Sequence, residues 1–253
     1  MLKKPWGGRF KKDTHKIAEK FSASVDFDKR LYREDIEGSI AHVTMLAENG
    51  IILKIESEKI TKGLKQIEKE IDSGKFPFRE EYEDIHLNIE KRLIEKIGDT
   101  GGKIHTARSR NDQIALDMRL YLRKEINEII LLLKDIAGRL IELAEKNIDT
   151  VMPLYTHLQR GQPVLLSHHL MGLYEMLKRD RERYIDCLER VNVMPLGAGA
   201  GAGTTFPIDR EYVAKLLGFP KVTQNSIDTV SDRDFIVEYI AVSANLMMHL
   251  SRV

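Results

Sequence analysis

Cysteine is almost absent from this chain of 253 residues. Cys187 stands alone, so no internal disulfide can form, and the cytoplasm is the default expectation. Long apolar runs are missing too. No stretch approaches the roughly 20 residues a bilayer span requires, and the first eight residues lack the apolar stretch of a secretory signal. There is no excess of charge. The 40 Lys and Arg against 39 Asp and Glu leave a net +1, which gives no electrostatic footprint for nucleic acid or an anionic membrane. Metal-binding patterns are lacking: there is no His-Glu-x-x-His and no Cys/His ligand spacing, and His168 and His169 are adjacent, so they diverge on a helix. The absence of a Gly-x-Ser-x-Gly elbow removes the usual support for a nucleophilic serine.

What is present is helical periodicity in a soluble, globular composition, 42% hydrophobic and 31% charged, enough to bury a sizeable core. Residues 28–49 place Leu31, Ile36, Ile40, Val43 and Leu46 near one face and stop at Asn49-Gly50. Residues 57–73 and 83–97 repeat the pattern and stop at Gly74 and Gly98. From Asp112 to about Lys146 there is no proline and one glycine, and apolar residues from Ile114 to Leu143 keep a 3.5–3.6 period. A helix of that length spans about 50 Å and belongs in a bundle. The run Leu131-Leu132-Leu133 predicts apolar contact on more than one side. Further helices are expected over 167–192 and 209–217. A last one starts near Ser231, with Ser231 and Asp234 as a capping box. That pattern is unfinished at Val253, from which a truncated chain is expected. The fold expected is all-α: a small helical domain over 1–105, then part of a long-helix bundle over 106–253.

Two polar segments carry the candidate chemistry. Thr106 to Gln113 opens the longest helix with Arg108, Ser109, Arg110, Asn111 and Gln113, donors set where a helix start favours an anion. An exposed basic cap would look the same. Met152 to Pro163 joins the two long helices, and its His157 suits proton transfer near neutral pH. A surface histidine in a polar helix–helix connection is the bland alternative. The Gly/Ala alternation from Gly197 to Gly203 follows Met194-Pro195-Leu196 rather than a strand, so it reads as a flexible turn next to a site, not a nucleotide loop. Together these features fit cofactor-free acid–base chemistry on a polyanionic small molecule. The two segments meet only in an assembly or a folded-back bundle.

These segments resemble the argininosuccinate lyase family of the fumarase/aspartase superfamily, to which delta-crystallin is closely related. The resemblance rests on Trp6-Gly7-Gly8-Arg9-Phe10, on Phe21 to Ser24 with Asp28, on Glu83-Asp84-Ile85-His86, and on Thr106 to Gln113. It continues through Tyr155 to Pro163, Pro195 to Pro207 and Ser231 to Phe235. The Ser-Arg-Asn-Asp-Gln and Trp-Gly-Gly-Arg-Phe elements set this branch apart from fumarase and adenylosuccinate lyase. The resemblance implies reversible elimination of argininosuccinate to arginine and fumarate without a cofactor. It implies His157 in proton transfer, Ser24, Asn111 and Thr156 as substrate contacts, and His86, Ser109 and Arg110 as further contacts. It also implies a tetramer whose sites draw on several subunits. The superfamily's Gly-Ser-Ser-x-Met-Pro-x-Lys-x-Asn loop, which carries the serine usually assigned as base, is not found in the 253 residues, so the chain alone is expected to be nearly inactive. The rival expectations are a crystallin-like structural protein on the same fold and a superfamily lyase with another substrate, such as adenylosuccinate.

Overall fold

The residues between Asp112 and Lys146 carry nothing to interrupt a helix, and in the computed structural model, which describes residues 15–253, they form one. The short helices α1 (Lys16–Ser22) and α2 (Val25–Asp28) lead through a 3-10 turn, Lys29–Leu31, into α3 (Tyr32–Glu48). Then come α4 (Lys54–Asp72), α5 (Ile85–Ile97) and the long α6 (Arg110–Glu145). A hairpin of β1 (Val151–Thr156) and β2 (Gln159–Leu165) precedes α7 (Leu166–Val191). The helices α8 (Arg210–Leu217), α9 (Ser226–Ser231) and α10 (Asp234–Leu250) follow. Among the described residues the fold is all-α apart from that two-stranded sheet. The Trp6 to Phe10 motif lies outside the described residues.

α6 runs through two cores. Its first turns give Leu116 and Leu120 to a core with Ile36, Val43 and Leu46 of α3, Ile60, Leu64 and Ile67 of α4, and Ile85, Ile89 and Leu93 of α5. Met194, Leu196, Val213, Leu217 and Phe219 close that core from the far end of the sequence. The rest of α6 gives Leu122, Ile126, Leu133 and Leu140 to a second core with Leu170, Leu177 and Tyr184 of α7 and Phe235, Val242 and Leu246 of α10. The 4- and 7-residue spacings keep these α6 side chains on one stripe, and each fully buried Leu or Ile contributes about 1.5–3 kcal/mol. Of the leucine triple, only Leu133 is buried; Leu131 and Leu132 are each 61% exposed. In one chain α6 therefore has apolar contact on one side at this level, with Ile136, Ile141 and Leu143 also exposed.

Two expectations need correction. The segment between the long helices, expected as a polar helix–helix connection in an all-α chain, is an antiparallel hairpin, with Thr156 opposite Gln159 and a register irregularity between Pro153 and Tyr155. The capping box at Ser231 does not form. Ser231 sits in the last turn of α9, where its Oγ donates to the carbonyls of Ile227 (2.9 Å) and Asp228 (3.2 Å). Asp232 does the capping instead, its Oδ1 accepting the Asp234 N–H at 2.7 Å. Asp232 is held there by Arg119, whose Nη2 lies 2.6 Å from Asp232 Oδ2 and whose Nη1 donates to the carbonyls of Arg190 and Val191 at the end of α7. The same guanidinium stacks 4.1 Å from the centre of the Phe235 ring. One buried arginine thus joins α6, α7 and the start of α10.

Candidate functional site

The first turn of α6 is capped by its own sequence. Ser109 Oγ accepts the Asn111 N–H at 3.3 Å, and Asp112 Oδ1 accepts the Ser109 N–H at 3.0 Å, a reciprocal cap. The donors read as an anion cluster separate into two groups. Arg108 turns inward, donating to Ser39 Oγ at 2.9 Å, and Gln113 is buried with its amide N–H donating to Asp35 Oδ1. Arg110 is half-buried. Its Nε is 3.0 Å from Asp84 Oδ2 and its Nη1 donates to Gln113 Oε1 at 2.6 Å. Asn111 alone of the cluster is exposed.

Other segments converge on this turn. Asp84 caps α5, its Oδ1 accepting the Leu87 N–H at 2.7 Å. The Ser24 and Val25 N–H groups donate to the Glu83 carbonyl at 2.8 and 3.0 Å. Ser24 Oγ donates to Asp28 Oδ2 at 2.5 Å, and Asp28 Oδ1 accepts the Ile85 N–H at 3.1 Å. Ser24, His86, Ser109, Arg110 and Asn111 therefore belong to one connected polar region.

His86 is its buried member, 2% exposed. Its Nδ1 bonds Asp35 Oδ1 at 3.1 Å and lies 3.3 Å from Asp117 Oδ2. One ring proton serves one carboxylate, and Asp117 has no hydrogen-bond partner among the described residues. The two acids are driven apart. Burial raises Asp35, but His86, Arg108 and Gln113 outweigh it and hold that carboxyl at about 2. Burial and the neighbouring Asp35 charge push Asp117 well above the usual carboxylate range. The donor atoms of Asp35, His86 and Asp117 lie within 4.8 Å of one another, close enough for a metal ion. The Gln113 amide already bonds Asp35, and the buried Arg108 beside it makes a second cation unfavourable.

Thr156 and His157 are elsewhere. They form the tip of the hairpin beyond the other end of α6, and both are exposed. His157 and Leu158 are the two central residues of the turn, with φ of 51° and 60°. That left-handed pair gives the twist a two-residue hairpin needs, without the Asn or Gly that usually supplies it. Leu158 is 97% exposed. α6 has 36 residues, so about 54 Å separates its ends at 1.5 Å per residue. α7 returns alongside α6 without bringing the hairpin tip back to Asn111. A single chain holds the donor cluster at one end of the rod and the histidine at the other.

Asp35, Asp112 and Asp117 are buried acids of this region that no sequence motif singles out. Asp35, Ser39 and His42 stand at i, i+4 and i+7 of α3 and are all buried. That polar stripe beside an apolar one was the available signal.

A protein-family model described as Lyase matches residues 8–253. The argininosuccinate lyase of Trichlorobacter lovleyi is 60% identical over 249 residues, covering 98% of this chain and 54% of that protein. The argininosuccinate lyase of Symbiobacterium thermophilum is 59% identical over 251 residues, covering 99% and 54%. Among solved structures, EDDS lyase in complex with formate superposes with a TM-score of 0.82 at 33% identity, covering 93% of this chain and 46% of that one. The chain thus spans about half the length of the curated relatives it matches.

Proposed function

The chain belongs to the lyase family, and from that premise we propose that its polar residues form part of a site that eliminates arginine from argininosuccinate and leaves fumarate. In that reaction a C–H bond next to a succinyl carboxylate is broken. Its electron pair becomes the new C=C bond, and the C–N bond breaks as the guanidino nitrogen leaves and takes up a proton. The transient charge collects on the carboxylate, where one well-placed donor is worth about 3–4 kcal/mol. Asn111, Ser109, Arg110 and Ser24 are donors of the right kind at the first turn of α6, with Thr156 supplied by the hairpin. His157 moves a proton, a role typically worth about 10²–10⁴-fold. His86, buried against Asp35, acts from behind the first turn. The pairing with argininosuccinate rests on the Ser-Arg-Asn-Asp-Gln segment and on the likeness to curated argininosuccinate lyases.

The observation that carries this reading is the separation of Asn111 from His157 by the whole of α6. A site using both needs the hairpin of another copy beside the first turn of α6, as antiparallel packing of long helices in a homotetramer provides. The exposed apolar residues of α6, and Val237, Ile240 and Met247 of α10, supply a surface for such packing. The setting is arginine biosynthesis in the cytoplasm. The 253 residues alone release fumarate far more slowly than a protein of the relatives' full length, because the serine loop is not among them.

The test is a mixing experiment in the full-length protein. His157→Asn and Asn111→Ala, each inactive alone, are refolded together and assayed for fumarate release. Random pairing of copies restores about a quarter of the parent activity, since each intact site takes Asn111 and His157 from different copies. No recovery from a mixture that assembles normally would overturn the shared site.

A further inference from the structure

Asp112 is 0% exposed, yet it carries a carboxyl group into the junction of two segments far apart in sequence. One oxygen caps its own helix by accepting the Ser109 N–H. The other accepts the Gly197 N–H at 3.0 Å and the Gly199 N–H at 2.8 Å. We infer that Asp112 is a positioning residue that ties the Gly197–Gly203 loop to the first turn of α6, making the loop a wall of the substrate site. The loop's place in a substrate site rests on the lyase reading; the tie itself does not.

The loop is built to be tied. Gly199 has φ 61°, and a Cβ there would meet the Gly203 carbonyl oxygen at 2.5 Å. A Cβ at Gly197 would meet Arg210 and Ile208 side chains at 2.8 Å. Glycine is therefore required where the two N–H groups turn toward Asp112. The Gly203 N–H closes the loop on the Ala198 carbonyl at 2.8 Å. Ser226 Oγ and Arg210 Nε fix the loop to its own half of the fold, through the carbonyls of Gly201 (2.8 Å) and Leu196 (3.0 Å). The carboxylate of Asp112 is the hydrogen-bonded tether from the loop to α6. Its immediate neighbours in sequence are Asn111, Arg110 and Ser109, the residues assigned to substrate. Burial raises the Asp112 carboxyl above its ordinary value, and the three N–H groups oppose that rise. A carboxylate accepts at both oxygens, whereas Asn has one acceptor oxygen and can keep it on the Gly197 and Gly199 N–H groups while its NH₂ faces Ser109. Hence Asp112→Ala, which removes both acceptors, cuts the tether.

The experiment combines amide hydrogen exchange with fumarate binding in the full-length protein. In Asp112→Ala, the Gly197 and Gly199 amides exchange at least tenfold faster, as loss of a hydrogen bond to a charged acceptor requires. The amides of α7 and α10 keep the parent's rates, and fumarate binds at least tenfold more weakly. Gly199→Ala is the second variant. It distorts the loop while leaving Asp112 in place, so fumarate binding weakens similarly but the Ser109 amide stays protected. Unchanged exchange at Gly197 and Gly199 in Asp112→Ala overturns the tie. A freed loop with unchanged fumarate affinity overturns its place in the site. A parent protein that binds no fumarate overturns the lyase reading, and the exchange rates still judge the tether.

Discussion

Lowering the pH tests the buried polar stripe of α3 through His42. This imidazole is 1% exposed, and its Nε2 lies 2.8 Å from the Thr106 carbonyl oxygen, so Nε2 carries the proton and donates it. Nδ1 has no hydrogen-bond partner among the described residues. Burial, with the Arg108 charge nearby, pushes the group down from 6.5 to about 3. The folded state therefore holds a neutral ring where the unfolded chain takes up a proton below pH 6.5. Stability from this residue is full above pH 6.5, and it is lost as the pH falls from there toward 3. At about 1.36 kcal/mol per pH unit, moving from pH 7 to pH 5 costs about 2 kcal/mol, and the whole window about 5 kcal/mol. Other groups titrate in the same range, so the measurement is a difference. Gln at position 42 can still present an N–H to the Thr106 carbonyl and does not titrate. Urea unfolding at pH 7 and pH 5 should show the parent losing about 2 kcal/mol more than His42→Gln, whatever the variant's stability at pH 7. A difference below about 0.5 kcal/mol would refute a neutral, buried His42, since an exposed ring titrates alike in both states.

Two further outcomes follow from single contacts. Arg119→Met removes the guanidinium that joins the end of α7 to Asp232 and the Phe235 ring; the denaturation midpoint should fall by the equivalent of about 3–5 kcal/mol, as for breaking a buried ion pair, and a loss under 1 kcal/mol would remove the junction role. Leu158→Gly relieves a left-handed residue at the hairpin tip; unfolding of the dilute chain should show a gain of about 1 kcal/mol, while sedimentation of the full-length protein should show weaker assembly, because the 97% exposed Leu158 is left to pack on a neighbour. Unchanged assembly would make the exposed leucine incidental.

The parts of the fold legible in sequence were those set by local spacing. The long helix was expected over Asp112 to about Lys146 and runs Arg110–Glu145; the helix expected over 167–192 runs Leu166–Val191. Apolar residues at 3.5–3.6 spacing with no proline leave one conformation that can bury them. The hairpin escaped notice because Pro153 and Pro163 lie within its strands and its turn holds His157 and Leu158 rather than glycine. Ser231 failed as a cap because its hydroxyl is taken by the preceding turn of α9. In the site, the donors at the first turn of α6 were visible as residue types, but their division was not. Arg108 and Gln113 face inward because Ser39 and Asp35 wait on α3, some 70 residues earlier in sequence.

By itself, then, the sequence determined the helices, the near-absence of strand, and which residues carry donors or a titrating ring, because each depends on neighbours within a turn or two of the chain. Tertiary structure alone decided which of those groups are sealed and which are free. Packing α3 and α5 on the first turn of α6 buries Asp35, His86 and Asp117 and drives the two carboxyl groups in opposite directions. The uninterrupted length of α6 puts Asn111 and His157 at opposite ends of one rod, a separation that follows from rise per residue and that no local motif records.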